Sequence, residues 1–300
     1  MDYPTSSQRQ RWLFKNQEEL VRLDGLRERS REAALKSKKK DTAESCDAIS
    51  LDEEKRLIHY YALKLIELSN TIGSPDNVVC TACTYFLRFY VHRSCLEFDP
   101  QYIVLTCLYL ASKIEDCYVS AEYIHRQGGM PEEIILKFEI TVLQGLGFDL
   151  QVHPPHKALW GLIEALYSDA DEAWKKNVLK KGKVFLENNI LMSDALVLFT
   201  PGQLALKSLI SAVTSSDSPT GGAEDADSAD SIVQKAANFA EFGRVSDVKE
   251  ENVQTEAILS NILDAIDRTV TGNPVMKEED VKSVDRRLKL FLSSSKKSNK

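Results

Sequence analysis

Apolar residues recur along the chain at helical spacing, and no stretch alternates apolar and polar positions as a strand would. The first candidate helix spans residues 8–35 and is charged, with Trp12, Leu13, Leu20, Leu23 and Leu26 as its apolar positions. The polar stretch Ser37–Ser50 follows and reads as a linker. From Asp52 to Thr71, the residues Leu57, Tyr61, Leu65 and Leu68 form a stripe that Gly73-Ser74-Pro75 ends. Val78, Ala82, Phe86 and Phe89 mark a second stripe within Asp76–His92. Residues 100–114 are apolar nearly all round, which predicts a central helix surrounded by others. Short patterns at Ser120–Arg126 and Pro131–Gly145 complete this group before the break His153-Pro154-Pro155-His156.

The helical pattern then restarts, at 157–167, 172–191, 201–213, 231–242 and 251–270. Phe98-Asp99-Pro100 and Phe199-Thr200-Pro201 lie 101 residues apart, and the same offset aligns Leu105 with Leu206, Leu108 with Leu209 and Ala111 with Ala212. In both copies Asp or Thr can cap a helix whose first residue is Pro. The offset predicts a structural duplication of two all-α units. Residues 214–231 hold five acids and no base, a composition that predicts a loop inside the second unit. Near the end, Val281, Val284, Leu288 and Phe291 form one more stripe, with Glu278, Glu279 and Asp280 opening that helix and Arg286, Arg287 and Lys289 later in it. This charge order suits the helix dipole.

Composition narrows the class. A 43% hydrophobic and 28% charged chain of 300 residues can bury a core. Its net charge of -7 argues against a dedicated nucleic-acid binder, although residues 1–40 are locally basic. Four of the six cysteines fall in apolar helical patterns, where Cys behaves as a small hydrophobe. With the polar opening MDYPTSSQRQRWLF, this predicts a reducing, intracellular setting. The longest apolar run, Tyr102 to Ala111, is interrupted by Thr106 and is shorter than the about 20 residues a bilayer-spanning helix needs.

Catalytic signatures are missing: no Walker loop, G-x-G-x-x-G, H-E-x-x-H or G-x-S-x-G occurs. Cys80-x-x-Cys83 has metal spacing but falls within an amphipathic helix rather than a tight turn, which predicts packing rather than ligation. Lys36-Ser37-Lys38-Lys39-Lys40 reads equally as a nuclear-import patch or a solvated linker. Two charges stand apart. Lys113 ends the all-apolar central helix, and Glu139 interrupts the stripe Leu136, Glu139, Leu143, Leu146. Singly, each reads as a side chain snorkelling to water. Together they suggest a charged pair within a surface that meets a partner.

Leu110-Ala111-Ser112-Lys113-Ile114-Glu115-Asp116, followed by Glu139 and Gly147-Phe148-Asp149-Leu150, resembles the cyclin box. The resemblance implies two tandem five-helix repeats with flanking terminal helices. The implied bounds are 1–50 for an N-terminal helix and linker, 51–152 for the first box, 153–272 for the second with its acidic loop, and 273–300 for a C-terminal helix and basic tail. It further implies that Lys113 and Glu139 hold a cyclin-dependent kinase, with apolar contacts from Leu110, Ile114, Leu143, Phe148 and Leu150. Ser6-Ser7-Gln8 before Trp12, the run Tyr85–Tyr90, Val152-His153-Pro154 and Thr200–Leu206 resemble the cyclin branch that serves the CDK-activating kinase and TFIIH. That branch implies a RING-finger assembly subunit as a third partner and a nuclear location. It implies no catalytic residue, cofactor or metal in the chain, and no direct contact with nucleic acid or membrane. Mediator-kinase cyclins share the fold, and TFIIB-like factors also pair two such repeats. The Met-Arg-Ala-Ile-Leu docking motif of cell-cycle cyclins is replaced by Lys55-Arg56-Leu57-Ile58, which argues against R-x-L substrate recruitment.

Overall fold

The computed structural model describes residues 3–12, 17–39, 48–129, 131–216, 228–242, 250–272 and 276–294. These residues contain helices and turns and no strand. A short helical turn, Gln8–Trp12, precedes α1 (Gln17–Lys39), α2 (Leu51–Ile72), α3 (Asp76–His92), α4 (Pro100–Ile114), α5 (Ala121–Gly128) and α6 (Glu132–Gly145). Then come α7 (Pro155–Leu166), α8 (Glu172–Phe185), a turn at Leu186–Ile190, α9 (Ala195–Leu198), α10 (Pro201–Thr214), α11 (Ala229–Phe242), α12 (Glu250–Thr271) and α13 (Glu278–Ser294). Within the stretch 8–35 expected as one helix, the described residues form the turn Gln8–Trp12 and α1, with 13–16 outside the described residues, and α1 continues into the stretch read as linker. Leu13, the lysines' side chains at 38–40, Cys46, the core of the acidic loop (217–227) and the basic tail (295–300) lie outside the described residues.

Two compact units form. The first comprises Met1–His153, Leu191–Leu198 and Asn273–Lys300, and the second Pro154–Ile190 and Phe199–Gly272. Both terminal helices thus belong with the first unit. So does Leu191–Leu198, which pattern alone placed in the second.

Local chemistry sets the helix ends of the first unit. Ser50 caps α2 in a reciprocal box, its side chain accepting from the Glu53 N–H while the Glu53 carboxylate accepts from the Ser50 N–H. Gly73, at φ 78°, closes the helix in the left-handed conformation that an L side chain resists. Asp99 caps α4 by accepting from the Gln101 N–H, with Pro100 at the first helical position. In the second unit Thr200 caps α10 in a box with Gln203, again with Pro201 first. The two aligned Pro-led helices are thus the middle helices of their units: α4 packs on α3 and α6, and α10 on α7 and α8.

The first unit is dense around α3. The sequence stripe predicted one buried face, but every residue from Val78 to Val91 is buried. The additional cover comes from α1 and α9, which also pack on α3. Below this layer Glu54 is buried, accepting from Ser94 Oγ at 2.8 Å and the Cys95 N–H at 2.6 Å. Burial raises its carboxyl above the usual range, against the pull of those two donors. The C-terminal helix α13 docks on α2 through Val281, Val284, Leu288 and Phe291, all buried. Asp285 accepts from Tyr61 Oη at 2.8 Å, and Arg287 pairs with Glu53.

The approach of α6 to α3 is close at Gly145, where an added β-carbon would stand 2.5 Å from the Phe89 ring. Phe89 is fully buried and cannot swing away. Gly145→Ala is therefore expected to cost about 1–3 kcal/mol of stability, the usual range for overpacking. Chemical denaturation of the variant checks this; a midpoint equal to wild type would show that the α3–α6 contact yields freely.

Candidate functional site

The end of α4 shows why its motif has this composition. Ser112 is buried, donates from Oγ to the Tyr109 carbonyl at 2.8 Å and accepts from the Val119 N–H at 3.3 Å. Glu115 turns back to α3, accepting from Asn77 Nδ2 at 2.8 Å and Thr81 Oγ1 at 2.7 Å. Asp116 follows at φ 55°, reversing the chain. Ser112 and Glu115 are thus spent on the fold, which leaves Lys113 and Ile114 facing outward.

Lys113 Nζ forms an ion pair with Glu139 of α6 and lies 4.3 Å from the centre of the Tyr109 ring. The two side chains are 30% and 23% exposed, so the pair is neither buried nor freely solvated. Exposed apolar side chains stand beside it in the chain: Ile114, next to Lys113, is 41% exposed, Ile140, next to Glu139, 59%, and Phe148, in the turn after α6, 63%, with Leu136 and Tyr118 also exposed. Leu143 and Leu150 are half-buried. Exposed aliphatic and aromatic side chains beside one ion pair form a face that a monomer has no reason to leave in water.

Of the residues the sequence singled out, the structure pairs Lys113 with Glu139, leaves Ile114 and Phe148 exposed, and leaves Leu143 and Leu150 half-buried. Leu110 differs: it is 2% exposed and supports the face from behind. The reason is geometric: Leu110 lies on the side of α4 that packs into the unit, whereas Ile114, one turn later, lies past the last neighbour. Ile140 and Tyr118 were not identified from the sequence. The signal for Ile140 was present, because α6 carries more apolar residues than one inward face uses. Ile135, Val142 and Leu146 are buried, while Leu136, Ile140 and Leu143 repeat at four- and three-residue steps on the other side.

Other candidate chemistry resolves into packing. Cys80 and Cys83 are buried within α3, and burial pushes the Cys80 thiol up to about 12, so it stays protonated. Among the described residues no group of three or more His, Cys, Asp or Glu stands close enough to hold a metal ion. None of the helices among them is long and apolar enough to cross a membrane.

Residues 27–151 match the family model described as the cyclin N-terminal domain. The chain is 32% identical to Cyclin-H1-1 of Arabidopsis thaliana, over 98% of this chain and 90% of that protein. The fold resembles a chain in the structure of the CAK complex from Chaetomium thermophilum bound to ATP-gamma-S, with TM-score 0.73 and 23% identity, covering 97% of this chain and 88% of that one. It also resembles a chain in the yeast TFIIK (Kin28/Ccl1/Tfb3) complex, with TM-score 0.63 and 22% identity, covering 87% of this chain and 100% of that one.

Proposed function

The chain belongs to the cyclin family, on its cyclin-H branch, and from that premise we propose that it binds a cyclin-dependent kinase through the α4–α6 face and activates it as the regulatory subunit of a CDK-activating kinase. The observation that carries this reading is the exposure of Ile114, Ile140 and Phe148 beside the Lys113–Glu139 pair. A protein kinase is active only when the lysine of its third strand pairs with the glutamate of its αC helix, so placement of αC controls the rate. A subunit that binds only the assembled state shifts that equilibrium. Moving it from 1:99 to 99:1 takes about 5.5 kcal/mol of differential binding. Burial of the apolar face supplies such an energy, and the ion pair fixes register. Catalysis belongs to the kinase; this chain acts on its conformation.

The substrates of the assembled kinase are the activation loops of other cyclin-dependent kinases and the C-terminal domain of RNA polymerase II. A RING-finger assembly subunit, membership of TFIIH and a nuclear location complete the reading. It is supported by the family branch and by the similarity to chains of the CAK and TFIIK complexes.

Affinity purification of the tagged chain, with mass spectrometry of what it retains, tests this directly. A cyclin-dependent kinase is expected, active on both substrate classes only when the chain is present. Recovery of a Mediator kinase in its place would move the chain to that neighbouring branch, and recovery of no kinase would end the proposal.

A further inference from the structure

Phe148 is the most exposed aromatic of the kinase-facing turn and also one of its least comfortable residues. Gly147 at φ 58° and Phe148 at φ 60° are consecutive left-handed positions. For a residue with a bulky side chain that conformation is uncommon and persists only where the surroundings impose it. Within the turn, the Phe148 N–H donates to the Leu143 carbonyl at 3.0 Å and the Asp149 N–H to the Leu146 carbonyl at 3.1 Å. Backbone bonds of this kind end many helices and do not by themselves hold a phenylalanine outward.

What holds the next residue comes from far away in sequence. The Asp149 carboxylate accepts from Trp12 Nε1 at 3.1 Å and from Arg11 at 3.0 Å and 3.2 Å. Trp12 is itself fixed: it is 8% exposed, stands with its ring 5.3 Å from the buried Arg88 guanidinium and meets His92 edge-on at 5.8 Å. Gln8, buried on the same short turn, accepts from the His153 N–H at 2.6 Å, just beyond the kinase-facing loop. On the other side Tyr85 Oη donates to the Leu150 carbonyl. Phe148 is thus followed by two residues that are tied down by groups α4 and α6 do not contain.

We infer that the N-terminal turn Gln8–Trp12 is a brace for the kinase-facing turn, with Trp12 and Arg11 acting through Asp149 as positioning residues that hold Phe148 in its outward, left-handed conformation. The inference rests on the α4–α6 face being the kinase-binding face. Trp12, Arg11 and Asp149 need not touch the kinase. Their contribution is preorganisation: a free turn would pay the ordering cost of Phe148 on binding, and the braced turn has paid it already.

The test uses the full chain and the co-purifying cyclin-dependent kinase. Arg11→Ala removes an exposed side chain, Trp12→Phe keeps the ring over Arg88 but removes the N–H, and Asp149→Ala removes the shared acceptor. Each is measured for kinase affinity and melting temperature, alone and combined with Phe148→Ala. A group acting through Phe148 couples to it, whereas general destabilisation would add to it. Trp12→Phe and Asp149→Ala are each expected to weaken affinity about 5–10-fold, and, whatever they do to the melting temperature, to add no further loss of affinity once Phe148 is alanine. Arg11→Ala, at an exposed site, is expected to give a smaller loss of the same dependent kind. If Phe148→Ala weakens binding while the brace substitutions are silent or simply additive, the brace is wrong and the kinase face stands. If Phe148→Ala itself binds like wild type, both fall.

Discussion

Lys113→Ala and Glu139→Ala are each expected to weaken kinase binding by about 2–5 kcal/mol, roughly 30-fold to several thousand-fold in Kd, while the free chain stays folded. The two halves of this expectation have one cause. In the free chain the pair is partly exposed, at 30% and 23%, where an ion pair is worth at most about 1 kcal/mol to stability. Removing either partner there leaves a charge that water still reaches. On the proposed reading, kinase binding would cover Ile114, Ile140 and Phe148, exposed in the free chain, and would desolvate the charge left without its partner. Because the two side chains bond to each other, the double substitution should cost less than the sum of the singles. Titration of the purified kinase against wild type, both singles and the double, with circular dichroism as the folding control, reads this out. Wild-type affinity in both singles would remove the kinase from this face.

Asp194→Ala is expected to destabilise the first unit by about 3–5 kcal/mol, the cost of stranding a buried charge. Asp194 receives both terminal nitrogens of Arg27 at 2.7 Å, and His59 Nε2 lies 3.3 Å behind. Both members of the Arg27–Asp194 pair are essentially sealed, at 3% and 2% exposure. Arg27 stands on α1, His59 on α2 and Asp194 in the Leu191–Leu198 segment, so one cluster joins three separate stretches of chain. Without Asp194, Arg27 would either stay buried and unpaired or pull α1 away from α3. Replacing both partners together, as Arg27→Met with Asp194→Leu, should recover much of the loss, because the desolvation cost disappears with the charges. Denaturant melts of the single and the pair separate these outcomes; a harmless Asp194→Ala would mean the cluster does not anchor α1.

The same cluster sets an acid limit. Burial by itself would raise the Asp194 carboxyl, but the charge and hydrogen bonds of Arg27, with His59, hold it well below the ordinary value. A carboxyl depressed on folding adds stability above its unfolded value, about 3.9, and loses it as pH falls through that value toward the folded one. Glu54, raised by burial, has the opposite slope: its contribution is present at low pH and fades as pH rises. Below about pH 4 Glu54 is protonated folded and unfolded alike and adds no slope, so the Asp194 contribution remains. Stability measured against pH should therefore drop more shallowly in Asp194→Asn than in wild type.

The two repeats were readable from the chain itself, since helix periodicity and capping depend on neighbours three or four residues away. Asp99-Pro100 and Thr200-Pro201 announced the two middle helices, and the Val281–Phe291 stripe announced a docking helix, because each signal is local and stereochemical. Lys113 and Glu139 were conspicuous as charges in apolar patterns, although nothing local says that they meet. Only the tertiary structure decided what lies outside a given face. Leu110 and Ile114 are one turn apart in a helix that looks uniformly apolar, and one is sealed while the other is open because packing stops between them. The α3 stripe became burial on all sides because α1 and α9 arrive from distant positions. Arg27 and Asp194 are separated by 167 residues and Trp12 and Asp149 by 137, and nothing in either sequence neighbourhood names the partner. A buried ion pair or a long-range brace depends on loop closure and on the exclusion of water by the assembled fold, and neither leaves a periodic trace in the residues that form it.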